Sequence, residues 1–137
     1  MGGEGGDYGL RIRVDQAKKK SADPIWRCVM AKYLITASYS AEGTKGLLKD
    51  GGSNRKDAVA KMIEDMGGTL ESFYFAFGDR DAFVIADLPN EIAAAAISLR
   101  INASGLVGVS TTALLTPEQV DAACDKGTTL AYQAPGT

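Results

Sequence analysis

Residues 69–88, TLESFYFAFGDRDAFVIADL, put two apolar runs rich in aromatic and β-branched residues on either side of a short charged segment. Strand, brief polar loop, strand is the pattern of a β-hairpin. What flanks the hairpin then limits the fold. Before it, Val59, Met62, Ile63 and Met66 recur at helical spacing, predicting a helix from about Asn54 to Met66 that Gly67 ends. After it, Asn90 follows Pro89 as a cap, and EIAAAAISLRI predicts a helix through about Asn102, closed by Gly105.

One more strand is expected at each end of this unit. AKYLITASY, residues 31–39, separates Tyr33, Ile35, Ala37 and Tyr39 from Lys32, Leu34, Thr36 and Ser38 by alternation. Ser40 then caps a short helix to about Lys49, although Gly43 and Gly46 weaken it, and DGGSN breaks the chain. LVGVSTTALL, residues 106–115, is the fourth strand, and the capping box TPEQ at Thr116–Gln119 opens a last helix to about Lys126. The order strand, helix, strand, strand, helix, strand is the α+β, ferredoxin-like βαββαβ plan: an antiparallel sheet with its helices on one face. The other face carries alternation sets of mixed character, namely Leu34, Thr36 and Ser38, then Ser72, Tyr74 and Ala76, then Gly108, Ser110 and Thr112. A half-apolar, half-hydroxyl face suits a homodimer with facing sheets around a partly wet cavity; an open sheet with one solvated face is the alternative.

Residues 30–127 are expected to form the domain and 128–137 a C-terminal tail. Residues 1–29, glycine-rich and holding the basic run Lys18–Lys20, read as a flexible extension, of the kind an upstream start codon would add, in which Trp26 alone looks able to dock. A net charge of −2 argues against a general nucleic-acid binder. The chain has no histidine, which excludes Ser-His-Asp and Cys-His catalysis and imidazole-bound zinc. Cys28 and Cys124, the only cysteines, are far apart, as in a reduced cytoplasmic protein; Cys124, near Val120 and Ala123, is expected to be a small buried residue. No apolar run reaches the length of a membrane helix. No acidic cluster has calcium-loop spacing, so neither a metal nor an organic cofactor is expected.

The stretch from Gly43 to Leu99, with Lys45, Arg55, the Gly67-Gly68 pair, the Gly78–Asp81 turn and LPNE at residues 88–91, resembles the GYD-domain family, small bacterial proteins related in shape to dimeric α/β barrels. The resemblance spans about Met30 to Leu115. It departs from the family's name-giving Gly-Tyr-Asp motif, because Arg80 stands at the tyrosine position of GDRDAF while Gly78 and Asp81 are kept. It implies the fold and the dimer; the family's biochemical activity is not established, so it implies no reaction.

Candidate chemistry is sparse. In the hairpin turn, one reading has Gly78 supply an unusual dihedral while Asp79 and Asp81 bond backbone amides; the other aims Asp81 at a pocket as acid, base or acceptor, with Arg80 as an anion contact. Arg55 and Lys45 flank the glycine-rich loop KDGGSN, where backbone beside a helix N-terminus can hold an anion, though it lacks Walker spacing. Thr36, Ser38, Tyr39, Tyr74, Ser110 and Thr112 would line a small cavity with hydroxyls. The ligand-binding set is thus Thr36, Ser38, Tyr39, Arg55, Tyr74, Gly78, Arg80 and Asp81, with Asp81 the weak catalytic candidate. A homodimeric small-molecule-binding or interaction module without a catalytic constellation fits best. A cofactor-independent monooxygenase- or isomerase-like enzyme, with its pocket between sheet faces, is the alternative, resting on fold analogy.

Overall fold

The computed structural model describes residues 30–137; the extension up to residue 29, with Trp26 and Cys28, lies outside the described residues. The elements are β1 (Ala31–Tyr39), α1 (Ala41–Asp50), α2 (Gly52–Asp65), β2 (Thr69–Phe75), β3 (Ala82–Leu88), α3 (Glu91–Ala103), β4 (Val107–Leu114) and α4 (Pro117–Gly127). The strands form one antiparallel sheet in the order β2-β3-β1-β4. This is the ferredoxin-like α+β plan. No helix among the described residues is long and apolar enough to cross a membrane.

The core lies on one face of the sheet and follows the alternation of the strands. Tyr33, Ile35 and Ala37 of β1 and Ala82, Val84, Ala86 and Leu88 of β3 are buried, and Val59 and Ile63 of α2 and Ala93, Ala94 and Ile97 of α3 close over them. α2 packs on β2 and α3 packs on β4, so each helix sits over an edge of the sheet while β1 and β3 occupy its middle. Caps fix the helix starts. Ser40, Asn90 and Thr116 each accept a backbone N–H from the first turn, and Thr116 with Gln119 completes the reciprocal box.

Several local differences from the sequence reading have clear causes. The expected loop KDGGSN is reduced to Gly51, whose φ of 83° lets α1 end at Asp50 and α2 begin at Gly52. β2 stops at Phe75 because Phe77, with φ 60°, turns the chain; Gly78, expected to supply that dihedral, does not. A left-handed aromatic residue costs about 1–2 kcal/mol, and the ring of Phe77 stacks parallel on Phe75, 5.8 Å between centroids. Cys124 is exposed rather than buried, because α4 buries none of its residues against the other described residues.

Gly43, which weakened α1 on propensity, is there for proximity. The Ser40 amide and hydroxyl both donate to the Leu106 carbonyl, at 2.9 and 3.0 Å, and this pulls the first turn of α1 onto the chain entering β4. A Cβ on Gly43 would lie 2.0 Å from that same oxygen, whereas one on Gly46 would meet nothing within 4 Å. Gly43→Ala is therefore predicted to lose ~1–3 kcal/mol by overpacking, while Gly46→Ala gains ~0.5–1 kcal/mol from helix propensity. Urea denaturation of the two variants checks the opposite signs.

At the end of the sheet away from the hairpin turn, Lys32 bonds Glu71 and, at 2.9 Å, Asp87, which pairs with it across β1 and β3. Glu71 reaches this position because a bulge between Leu70 and Ser72 inserts it into β2. The bond to Glu71, and then that to Asp87, raises the Lys32 ammonium above its ordinary 10.5. A raised folded-state value means that the stability this ammonium contributes is complete below pH 10.5 and is lost as pH rises through the folded value. With Lys32 a third exposed, Lys32→Met is predicted to cost about 1 kcal/mol or less. Thermal melts of both proteins should show that difference intact at neutral pH and shrinking above pH 10.5.

Candidate functional site

Two regions carry chemistry, and they lie on opposite faces of the sheet. On the helix face, the seating of α2 and α3 over the edges leaves a cleft above the central strands, a cavity of about 30 Å³. Its floor at the hairpin end is built of small side chains, Ala37 and Ala82, which cannot fill the gap between the helices. Ile35 continues the floor, Val59 and Ile101 face it from the two helices, and Tyr39 forms part of the wall. Apart from Tyr39, which carries a hydroxyl, the lining is apolar with one exception.

That exception is Arg55, placed one turn before Val59 on α2. Its Nε is buried and finds no hydrogen-bond partner among the described residues. An unpaired buried donor costs ~1–3 kcal/mol, and more when its group is charged. The cleft lining contains no Asp or Glu to balance it. Lys45, the other cation of the expected anion loop, is exposed on α1 and pairs with Glu42 instead, 3.2 Å away.

On the open face, Thr36 lies across from Phe83 on one side and Ser110 on the other, Leu34 from Ile85 and Thr112, and Ser38 from Gly108. Tyr74 stands opposite Phe83. Tyr74 is 71% exposed and Phe83 39%. The face is therefore mixed, as the alternation required, and its aromatic pair is in water in the single chain.

The hairpin turn joins these faces without forming a site of its own. The Asp81 amide donates to the Ala37 carbonyl at 2.8 Å, and the Asp81 carboxylate accepts from the Tyr39 amide at 2.7 Å. Asp81 thus extends the β1–β3 ladder beyond the Ala37–Ala82 pair, its side chain standing in for a backbone carbonyl. Arg80 reaches the Ser38 hydroxyl at 3.4 Å, and Gly78 and Asp79 are exposed at the tip. Of the eight residues proposed from sequence, Tyr39 and Arg55 come together at the cleft, Thr36, Ser38 and Tyr74 belong to the open face, and Gly78, Arg80 and Asp81 belong to the turn. Sequence reasoning missed the apolar cleft residues Ala37, Ala82 and Ile101 as site residues. The one available signal was the run of small residues on the buried alternation of β1 and β3, which reads equally as close packing.

Asp81→Ala is predicted to lower stability by about 1–3 kcal/mol, since it leaves the Tyr39 amide without its charged acceptor. Asp81→Asn, which keeps an amide oxygen at the same place, should lose less, and native-state hydrogen exchange at the Tyr39 amide should accelerate in the alanine variant more than in the asparagine one.

The GYD domain family model matches residues 33–124 of the 137. A crystal structure of a protein of unknown function from Nitrosomonas europaea is similar over 64% of this chain and 92% of that one, at 16% identity and a TM-score of 0.36. No curated protein matches.

Proposed function

The chain belongs to the GYD-domain family, and from that premise we propose that it is a homodimeric small-molecule-binding module without a catalytic role, its copies joined through their open sheet faces and each holding a ligand in the cleft beneath its own helices. The observation that carries the binding role is the apolar cleft beside a half-buried arginine, Arg55, whose Nε is buried without a partner among the described residues. Small-molecule sites are concave, apolar and marked by a few placed polar groups, and they enclose about 300–1,000 Å³, so this cleft of about 30 Å³ must widen between α2 and α3 to admit a ligand. The engagement of Asp81 by the Tyr39 amide supports a binding role over catalysis, because the carboxylate is already committed to the sheet.

The dimer reading rests on area and surface character. Four strands about 4.8 Å apart, each about seven residues of ~3.3 Å, present a projected face of roughly 440 Å². Stable interfaces bury about 800 Å² per partner, so the sheet alone supplies roughly half. The remainder is available on α4 and the segment after it, where Val120, Leu130 and Tyr132 are exposed and α4 buries none of its residues against the other described residues. A second copy covering both regions would remove Tyr74, Phe83, Val120, Leu130 and Tyr132 from water.

Sedimentation equilibrium is predicted to give twice the 14.4 kDa chain mass. Phe83→Glu, at a position exposed in the single chain, should shift the protein to monomer while leaving its fold intact by circular dichroism. A wild-type monomer throughout the micromolar range would remove the dimer.

A further inference from the structure

We infer that the outer edge of β4 is a pairing site for the β4 of a second copy, the two strands running antiparallel about a two-fold axis at Thr112, so that Thr111 of each copy stands opposite Ala113 of the other. This contact uses the rim of the sheet and leaves the open face free. It therefore goes beyond the dimer proposed above and does not depend on it.

The register decides which backbone groups of β4 point outward. Successive residues of an antiparallel strand turn their N–H and C=O to opposite sides. The Ser40 amide donates to the Leu106 carbonyl at the entry to β4, so the even-numbered Gly108, Ser110 and Thr112 turn toward β1, where Ser38, Thr36 and Leu34 face them. The odd-numbered residues turn away from it. Val109 shows this directly: its N–H donates to Asn102 Oδ1 at 2.7 Å and its carbonyl accepts from Asn102 Nδ2 at 3.5 Å, a side-chain amide standing where a fifth strand would lie. Thr111 and Ala113 face the same way without such a cover. Among the described residues no hydrogen bond reaches their outward N–H and C=O groups, since β4 is the last strand of the sheet.

Edge strands are normally guarded by a charge, a proline, a bulge or a covering element. The opposite edge, β2, has a bulge that inserts the acid Glu71. β4 has neither, and no charged residue stands between Arg100 and Glu118. The window left open is short and self-complementary. Asn102 closes the edge at Val109, so a long foreign strand cannot follow it, whereas two copies placed antiparallel satisfy both donors and both acceptors of each window. Being uncharged, the strands meet without repulsion, and Thr112 faces its own copy in a favourable cross-strand pair. The helix layer fits as well. Two helices over four strands about 4.8 Å apart take roughly 10 Å of sheet each, so pairing sets the partner's α3 beside α3 at about the 8–10 Å of packed helices. α3 packs on β4, and on its other side Ile92 and Leu99, seven residues apart, are exposed. A helix apolar on both sides suits a second neighbour.

So short a ladder makes a small contact, and the association is expected to be weak. The test is amide hydrogen exchange by NMR together with sedimentation of the full chain from micromolar to millimolar concentration, in the wild type, in Phe83→Glu, and in Phe83→Glu combined with Ala113→Pro. The proline removes only an outward N–H, a place where an edge strand accepts it. Rising concentration is expected to slow exchange at Thr111 and Ala113 about tenfold, the effect of one net hydrogen bond, and to leave Thr112, already bonded to β1, unchanged. Phe83→Glu, deprived of the open-face contact, should still pass from one chain to two, and Ala113→Pro should stop that step. Melting curves check that the proline variant is folded; if it is not, the wild-type exchange pattern decides. A wild-type dimer at micromolar concentration with no further association and no slowing at the two amides would overturn the edge pairing and keep the open-face dimer. A micromolar monomer that associates only at high concentration, with both amides slowed, would remove that dimer and support this contact. Slow exchange of the two amides already in dilute Phe83→Glu would show that the chain covers its own edge, and association persisting in a folded Ala113→Pro would place the contact elsewhere; either would sink the proposal.

Discussion

The pairing of β1 between β3 and β4 is the constraint from which the rest of the molecule follows. It places the most apolar alternation, Tyr33, Ile35 and Ala37, in the middle of the sheet beside Val84 and Ala82, and so decides which face must be covered. Two helices are available to cover it, and the connections seat one on β2 and the other on β4. Where large residues such as Ile63 and Leu88 meet, the two layers close completely. Toward the hairpin end the strands offer alanines, and the layers part.

The same sheet thus leaves two surfaces unfinished. On the helix side, the gap is apolar and bordered by Arg55, whose buried Nε has no partner among the described residues; on the other, aromatic and hydroxyl side chains alternate in water. An unpartnered buried donor and exposed aromatic side chains are both costly for an isolated chain. A ligand with a hydrogen-bond acceptor at the cleft and a second copy on the open face would relieve each in turn. The turn touches both: Asp81 accepts from the amide of Tyr39, which lines the cleft, and Arg80 reaches the Ser38 hydroxyl on the open face.

Much of this architecture was legible in the residues. The hairpin, the capped helices and the four alternating strands were all signalled by local chemistry, and the mixed open face followed from period-two alternation alone. What stayed hidden depended on through-space approach. Gly43 looked like a defect in α1 until the Leu106 carbonyl was seen against it, and Gly51 alone does the work expected of a whole loop. The left-handed residue of the hairpin is Phe77, a choice no propensity scale favours, and it accompanies stacking on Phe75. The cleft was the largest omission. Hydroxyl groups drew the expected pocket to the open face, whereas the cavity is made by the shortness of Ala37 and Ala82 and by the spread of two helices, neither of which a one-dimensional pattern contains.

The most direct test of this account is a high-resolution crystal structure of the full chain as purified from cells. The account predicts two copies with their open sheet faces together, and in each a cleft widened between α2 and α3 around a retained small molecule over Ala37 and Ala82. Sheet faces left in solvent, together with an empty cleft, would contradict it.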